Sequence, residues 1–189
     1  MPKIWADTIE LHRRDMRASI LDATAALIAE QGLGATTMLA IAERAGMGRA
    51  TLYKYFRELD AVLLALHERD VASHLAELQA ARDRPGTPWQ RLERVLDTYA
   101  RLAHAEHGSE LVARMRHSES VARGFQQLGQ LLQALLADAI EQGLVREDIP
   151  PPELAAFCIG ALSDAHTLPS QAALRRRVQL TLAALRPTG

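Results

Sequence analysis

The sequence predicts an all-α protein, and three observations carry that expectation. Apolar residues recur at helical spacing almost throughout, and no segment sustains an alternation of period two. Ala and Leu are abundant while aromatic residues make up only 4% of the chain, a balance that favours helix over sheet. Gly- and Pro-rich breakers, such as RDRPGTP at 82–88 and the three prolines Pro150, Pro151 and Pro152, separate intervals of helical length.

The first helix is expected to begin at Asp7, because Asp7-Thr8-Ile9-Glu10 has the spacing of a reciprocal capping box. Its apolar stripe then runs Ile9, Met16, Ile20, Leu21, Leu27 and Ile28, and Gly32 supplies the stop. Thr37 can cap a short helix from Met38 to Ala45, ended by Gly46, and a second short helix runs from Arg49 to about Tyr55. Leu59, Val62, Leu63, Leu66 and Val71 continue the pattern to about Ala81. Beyond RDRPGTP lie helical patterns from Trp89 to about Ala105, Ser109 to His117 and Val121 to Gln142. Prolines can lead into a helix but not continue one. Two terminal helices therefore follow, from Glu153 to about His166 and from Ser170 to about Leu185.

Of 189 residues, 48% are hydrophobic and 24% charged, which is globular composition, and the net charge is −1. The protein as a whole thus has no electrostatic pull towards nucleic acid or anionic membrane, and any basic surface must be local. Lys3 and Lys54 are the two lysines; the other basic residues are arginines. The single cysteine, Cys158, cannot form an intrachain disulfide and is expected to be a small buried apolar residue. MPKIWADTIELHRR lacks the apolar centre of a signal peptide, and no stretch approaches the apolar length of a membrane span. The expected compartment is the cytoplasm, with no membrane partner.

Residues 45–56 read AGMGRATLYKYF. A dinucleotide-binding Gly-x-Gly would follow a strand and be completed by a third glycine. Here the preceding MLAIAERA is helical in pattern and Thr51 holds the third position. No Gly-Lys-Ser/Thr occurs either, which sets the phosphate loop aside. Helix, tight turn, helix is the remaining reading, and it matches the DNA-binding helix-turn-helix. Between Glu43 and Glu58 stand Arg44, Arg49, Lys54 and Arg57 with no acid among them, although residues 1–60 as a whole balance in charge. Leu52 and Phe56 are expected in the core. Tyr53, Lys54 and Tyr55 point three ways on a helix, so at least one tyrosine must face outward.

TMLAIAERAGMGRATLYKYF, residues 37–56, resembles the helix-turn-helix of the tetracycline-repressor (TetR) family of bacterial transcriptional regulators, and ILDATAALIAEQG upstream and the fourth helix downstream extend the likeness over about the first 70 residues. The resemblance implies nine helices: three in a DNA-binding domain, residues 1–57, and six in a ligand-binding and dimerisation domain, residues 58–189. Thr37 would cap the second helix and touch phosphate, and Arg49, Thr51, Tyr53, Lys54 and Tyr55 would form the recognition surface. Arg44 and Gly48 are expected at the same surface. Arg49 suits guanine or phosphate, Thr51 a thymine methyl or phosphate, and the tyrosine hydroxyls phosphate oxygens. Two positions depart from the family pattern: Gly48 stands where many members have Ser, and Leu59 where many have Lys. Arg13, Arg14 and Arg17 either approach the flanking DNA backbone or form a solvated face.

The expected partners are double-stranded operator DNA, a small apolar effector and a second copy of the chain, with no cofactor. Polar and aromatic residues among the middle helices make Trp89, Tyr99, His104, Met115, His117, Phe125 and Phe157 the pocket candidates. Each is also an ordinary core or surface residue. The expected dimer face comprises Phe157, Ala161, Leu174, Val178 and Leu182, with Gly160 allowing close approach. His104 and His107 share a helical face, but Glu106 and Glu110 beside them are ordinary surface residues, so no metal site is expected. An adaptor that binds protein through its helix-turn-helix is the alternative function. No catalytic constellation is identifiable, and an enzyme is not expected.

Overall fold

The computed structural model of the chain describes the backbone of residues 2–105, 111, 115 and 118–187, and the side chains of these from residue 9 onward. Among the described residues there are eight α-helices: α1 (Pro2–Gln31), α2 (Met38–Arg44), α3 (Arg49–Tyr55), α4 (Leu59–Asp83), α5 (Pro88–Ala105), α6 (Glu119–Glu141), α7 (Pro151–Leu162) and α8 (Gln171–Ala184). Of the nine helices expected, the one at 109–117 lies largely outside the described residues. No strand occurs among them. No described helix is long and apolar enough to cross a membrane.

The chain forms two compact units, Met1–Arg69 and Asp70–Gly189. The division falls inside α4. The first turns of α4 belong to the first unit, where Val62, Leu63 and Leu66 are buried and Arg69 reaches Asp22 of α1 at 2.6 Å.

In the first unit, α1 packs against α2 and the 3-10 turn Leu33–Ala35, and α2 packs against α3. The helix starts at Pro2, ahead of the capping-box spacing at Asp7. Nothing before Asp7 breaks a helix, and proline suits a first turn. Ile9 is exposed rather than part of the buried stripe, because core contact starts only at Ile20 and continues through Leu21, Ala23, Thr24 and Leu27.

In the second unit, α6 lies against α5 and α7, and α5 also contacts α8 and the 3-10 turn Ala165–Thr167. Their shared core is almost wholly aliphatic, with Leu92, Val95, Leu96, Leu132, Leu136 and Leu162 fully buried. Local chemistry fixes the helix starts. Thr87 and Gln90 cap α5 reciprocally, at 3.0 and 3.2 Å, and Ser118 and Ser170 accept hydrogen bonds from the amides of Val121 and Ala173 at α6 and α8. The C-terminal ends are tied by arginines. Arg94 donates to the carbonyls of Arg84 and Pro85 just past α4, and Arg177 links α8 to Asp164 and to the Ala161 carbonyl at the end of α7.

Candidate functional site

The turn of AGMGRATLYKYF is built by backbone hydrogen bonds. The amide of Met47 donates to the Ala42 carbonyl at 2.9 Å and that of Gly46 to Glu43 at 3.2 Å, the paired bonds of a Schellman helix end. Gly46 has φ +65°, the left-handed conformation this end requires and one that glycine adopts without a Cβ penalty. At the other end of α2 the Thr37 side chain accepts from the Ala40 amide at 3.2 Å. Gly48 caps α3 with extended backbone and no side-chain hydrogen bond.

These bonds leave α3 a helix of two faces. Leu52 and Phe56 are buried and anchor it. Arg49 and Lys54 are exposed, Tyr53 is 45% exposed, and Thr51 and Tyr55 are half-buried. Among the described residues no carboxylate pairs with Arg49, Lys54 or Arg57. Cations without intramolecular partners on an anchored helix remain available to phosphates and base edges. Arg44 differs. Its guanidinium makes a two-point contact with Glu30 of α1, with one bond of 2.8 Å. That hydrogen bond holds the Glu30 carboxyl below its ordinary range and raises the guanidinium of Arg44, so the positive field expected at Arg44 is neutralised within the unit.

In the second unit, a groove of about 760 Å³ opens among α4, α5 and α8. Its floor includes Ala81, Val178 and Leu182, and its walls mix Arg84, Arg101 and Arg175 with Glu93 and Asp97. Charges of both signs line it. Trp89, Tyr99, His104, Met115, Phe125 and Phe157 are all absent from its lining. The groove is built from hydrophilic helix faces, which in sequence are indistinguishable from solvated surface.

Residues 20–66, which contain this helix-turn-helix, match the family of bacterial regulatory proteins of the tetR type. Residues 87–187 match the C-terminal domain of SbtR-like transcriptional regulators. The chain belongs to the TetR family. It is 31% identical over 147 residues, 72% of its own length and 68% of the relative's, to the HTH-type transcriptional repressor KstR of Mycolicibacterium smegmatis. Its fold is similar to that of a TetR/AcrR-family regulator from Thermobifida fusca, with a TM-score of 0.78 at 23% identity, covering 91% of this chain and 99% of that one. It is similar again to the transcriptional regulator FadR of Bacillus subtilis in complex with stearoyl-CoA, with a TM-score of 0.71 at 18% identity over 89% and 99% of the two chains. This TetR-family protein is therefore a DNA-binding transcriptional regulator, and the adaptor reading gains no support.

The described pocket candidates lie outside the groove among α4, α5 and α8. Tyr99 and Trp89 pack half-buried against the core, but the Trp89 ring is covered by the Arg186 guanidinium at 3.9 Å. His104 is buried with its Nδ1 2.9 Å from the Ala165 carbonyl. That nitrogen must carry the proton and donate, so His104 ties α5 to the turn ahead of α8. Phe125 and Phe157, at 46% and 47% exposure, face outward within the unit. Met115 is half-buried, and His117 lies outside the described residues, as do Glu106, His107 and Glu110.

The expected dimer face also divides. Leu174, Val178 and Leu182 are buried in the unit's own core, because that stripe of α8 is the one turned towards α5. The outward apolar residues are Phe157 with Ala156, Gly160 and the half-buried Ala161 on α7, and Leu180, 71% exposed, on α8. Cys158 is buried, and desolvation pushes its thiol up to about 12, which leaves it an inert apolar group at neutral pH.

Proposed function

We propose that the chain is a homodimeric repressor that reads a two-fold operator through α3 and is released by a small apolar effector. The observation that carries this reading is the division of α3 into a buried Leu52 and Phe56 and an outward Arg49, Tyr53 and Lys54. Arg49 and Tyr53, with Lys54, contact base edges and phosphates, while Thr37, Thr51, Tyr55 and the open amide end at Gly48 position the helix on the backbone. Arg44 acts indirectly, by holding α2 to α1 through Glu30.

Repressor names among the relatives support the direction of control. The stearoyl-CoA complex of FadR and the aliphatic core of the second unit support an effector with a large apolar part. Such a ligand acts by differential affinity for dimers that fit DNA and dimers that do not. The outward face of Phe157, Gly160, Ala161 and Leu180 supports pairing of two copies through α7 and α8. The protein works in the cytoplasm by binding, not by catalysis.

Selection from a random duplex library tests the reading. A two-fold consensus is expected, with half-site centres spaced for recognition helices roughly 34 to 36 Å apart or a multiple of it. Failure to enrich any sequence would reject specific DNA binding.

A further inference from the structure

Three arginines stand on the exposed part of α1, and the structure separates them. Arg14 lies 3.7 Å from Glu10, one helical turn back. Arg13 is exposed, and Arg17, on the same face one turn later, sets its guanidinium over the Phe56 ring, 4.6 Å from the centroid. Phe56 is the C-cap of α3 and is buried. Arg17 is thereby fixed at the end of the helix whose outward face carries Arg49, Tyr53 and Lys54, and it stays exposed itself. Among the described residues it has no carboxylate partner.

We propose that Arg17 is a DNA-backbone contact contributed by α1 and positioned by Phe56. The proposal rests on the DNA-binding reading of α3 and deepens it. A guanidinium stacked on a ring spends its flat face on the ring, while the N–H groups at its edge stay free. Stacking also removes much of the freedom a long side chain would otherwise lose on binding a phosphate. Charge complementarity favours duplex DNA: Lys54 and Arg57 flank Phe56 in sequence and are exposed, and no acid stands between Glu43 and Glu58. A phosphate contact adds affinity without reading sequence, so Arg17 strengthens binding to every duplex alike.

The test measures affinity for a selected operator duplex and for an unrelated duplex over a range of salt. Arg17→Met keeps the Phe56 ring covered and removes the charge; Arg17→Gln removes the charge and keeps a planar polar end. Both are expected to bind both duplexes about tenfold more weakly and to lower the slope of log K against log salt by about 0.9 for each phosphate left unneutralised. Arg17→Lys is expected to keep the slope, since the charge remains. Melting curves distinguish an unfolded variant from a folded one that binds DNA weakly. Parent-like slope and affinity in Arg17→Met would overturn the proposal and leave Arg17 as a cover for Phe56. Absence of specific binding by the parent chain would instead overturn the reading of α3, and this proposal with it.

Discussion

Gly124 of α6 and Val71 of α4 meet where a side chain at the glycine would have no room: a Cβ there would stand 2.9 Å from the Val71 Cγ1. The two helices approach this closely because one of them lacks a Cβ. Ala is worth about 1 kcal/mol over Gly in an open helix. Overpacking costs about 1–3 kcal/mol, and a β-branched valine on a helix has few rotamers to retreat into. Gly124→Ala should therefore lower the melting temperature, and adding Val71→Ala should recover part of the loss. A Gly124→Ala variant that melts at or above the parent temperature would show that Val71 yields freely.

Gly160 on α7 makes the opposite case. Among the described residues nothing lies within 4 Å of a Cβ placed there, so an isolated chain should gain about 1 kcal/mol from Gly160→Ala. Should two copies pair through this face, the added methyl presses into the partner and the dimer dissociation constant rises roughly tenfold by overpacking. Sedimentation equilibrium decides it. A dimer as tight as the parent's would place the interface elsewhere.

At Gly48 a Cβ would approach, among the described residues, no atom nearer than the Thr51 Oγ1 at 4.0 Å, and the backbone is already that of an N-cap. Gly48→Ser should accordingly fit without strain and stabilise the fold by a few tenths of a kcal/mol. Its hydroxyl also adds a phosphate donor, so operator affinity should rise. A loss of affinity would mean that DNA approaches the Gly48 backbone too closely for a side chain.

The Glu30–Arg44 pair contributes a pH-dependent stabilisation of known sign. Its hydrogen bond lowers the folded-state titration of Glu30 below the ordinary 4.5, so its stabilisation is complete above that value. It is lost as pH falls through the lowered folded value. Glu30→Gln should therefore be less stable than the parent at pH 7, with the gap closing under acid. A gap that stays constant from about pH 7 to about pH 2 would remove the ion pair as its cause. Both groups are exposed, so the difference is small.

What was legible in the sequence followed periodicity. Leu52 and Phe56 against Arg49, Tyr53 and Lys54 is a separation that helical spacing alone makes, and Thr37 and Gly46 mark the ends of α2 by cap chemistry. Periodicity says which residues share a face, not what covers it. Leu174, Val178 and Leu182 form a true stripe, yet their own unit buries it, and a partner would have produced the same pattern. The capping-box spacing at Asp7 lies inside a helix, because it marks a start only where the chain before it is not helical. The groove went unread for a related reason, since a cavity depends on how helices diverge and this one is lined by hydrophilic faces. The contacts Arg44 to Glu30 and Arg17 to Phe56 join residues far apart in sequence, and no local pattern announces them.

The central claim is that α3 reads DNA through its outward side chains. The most direct measurement is operator affinity of Arg49→Ala/Tyr53→Ala beside its melting curve. Each good base contact is worth about 1–3 kcal/mol, so losing two costs about 2–6 kcal/mol and the double variant should bind the selected operator at least about thirtyfold more weakly, close to its affinity for unrelated duplex. Its melting temperature should match the parent's, because both substitutions leave the core anchors Leu52 and Phe56 untouched. Parent-like discrimination between operator and unrelated DNA would contradict the assignment.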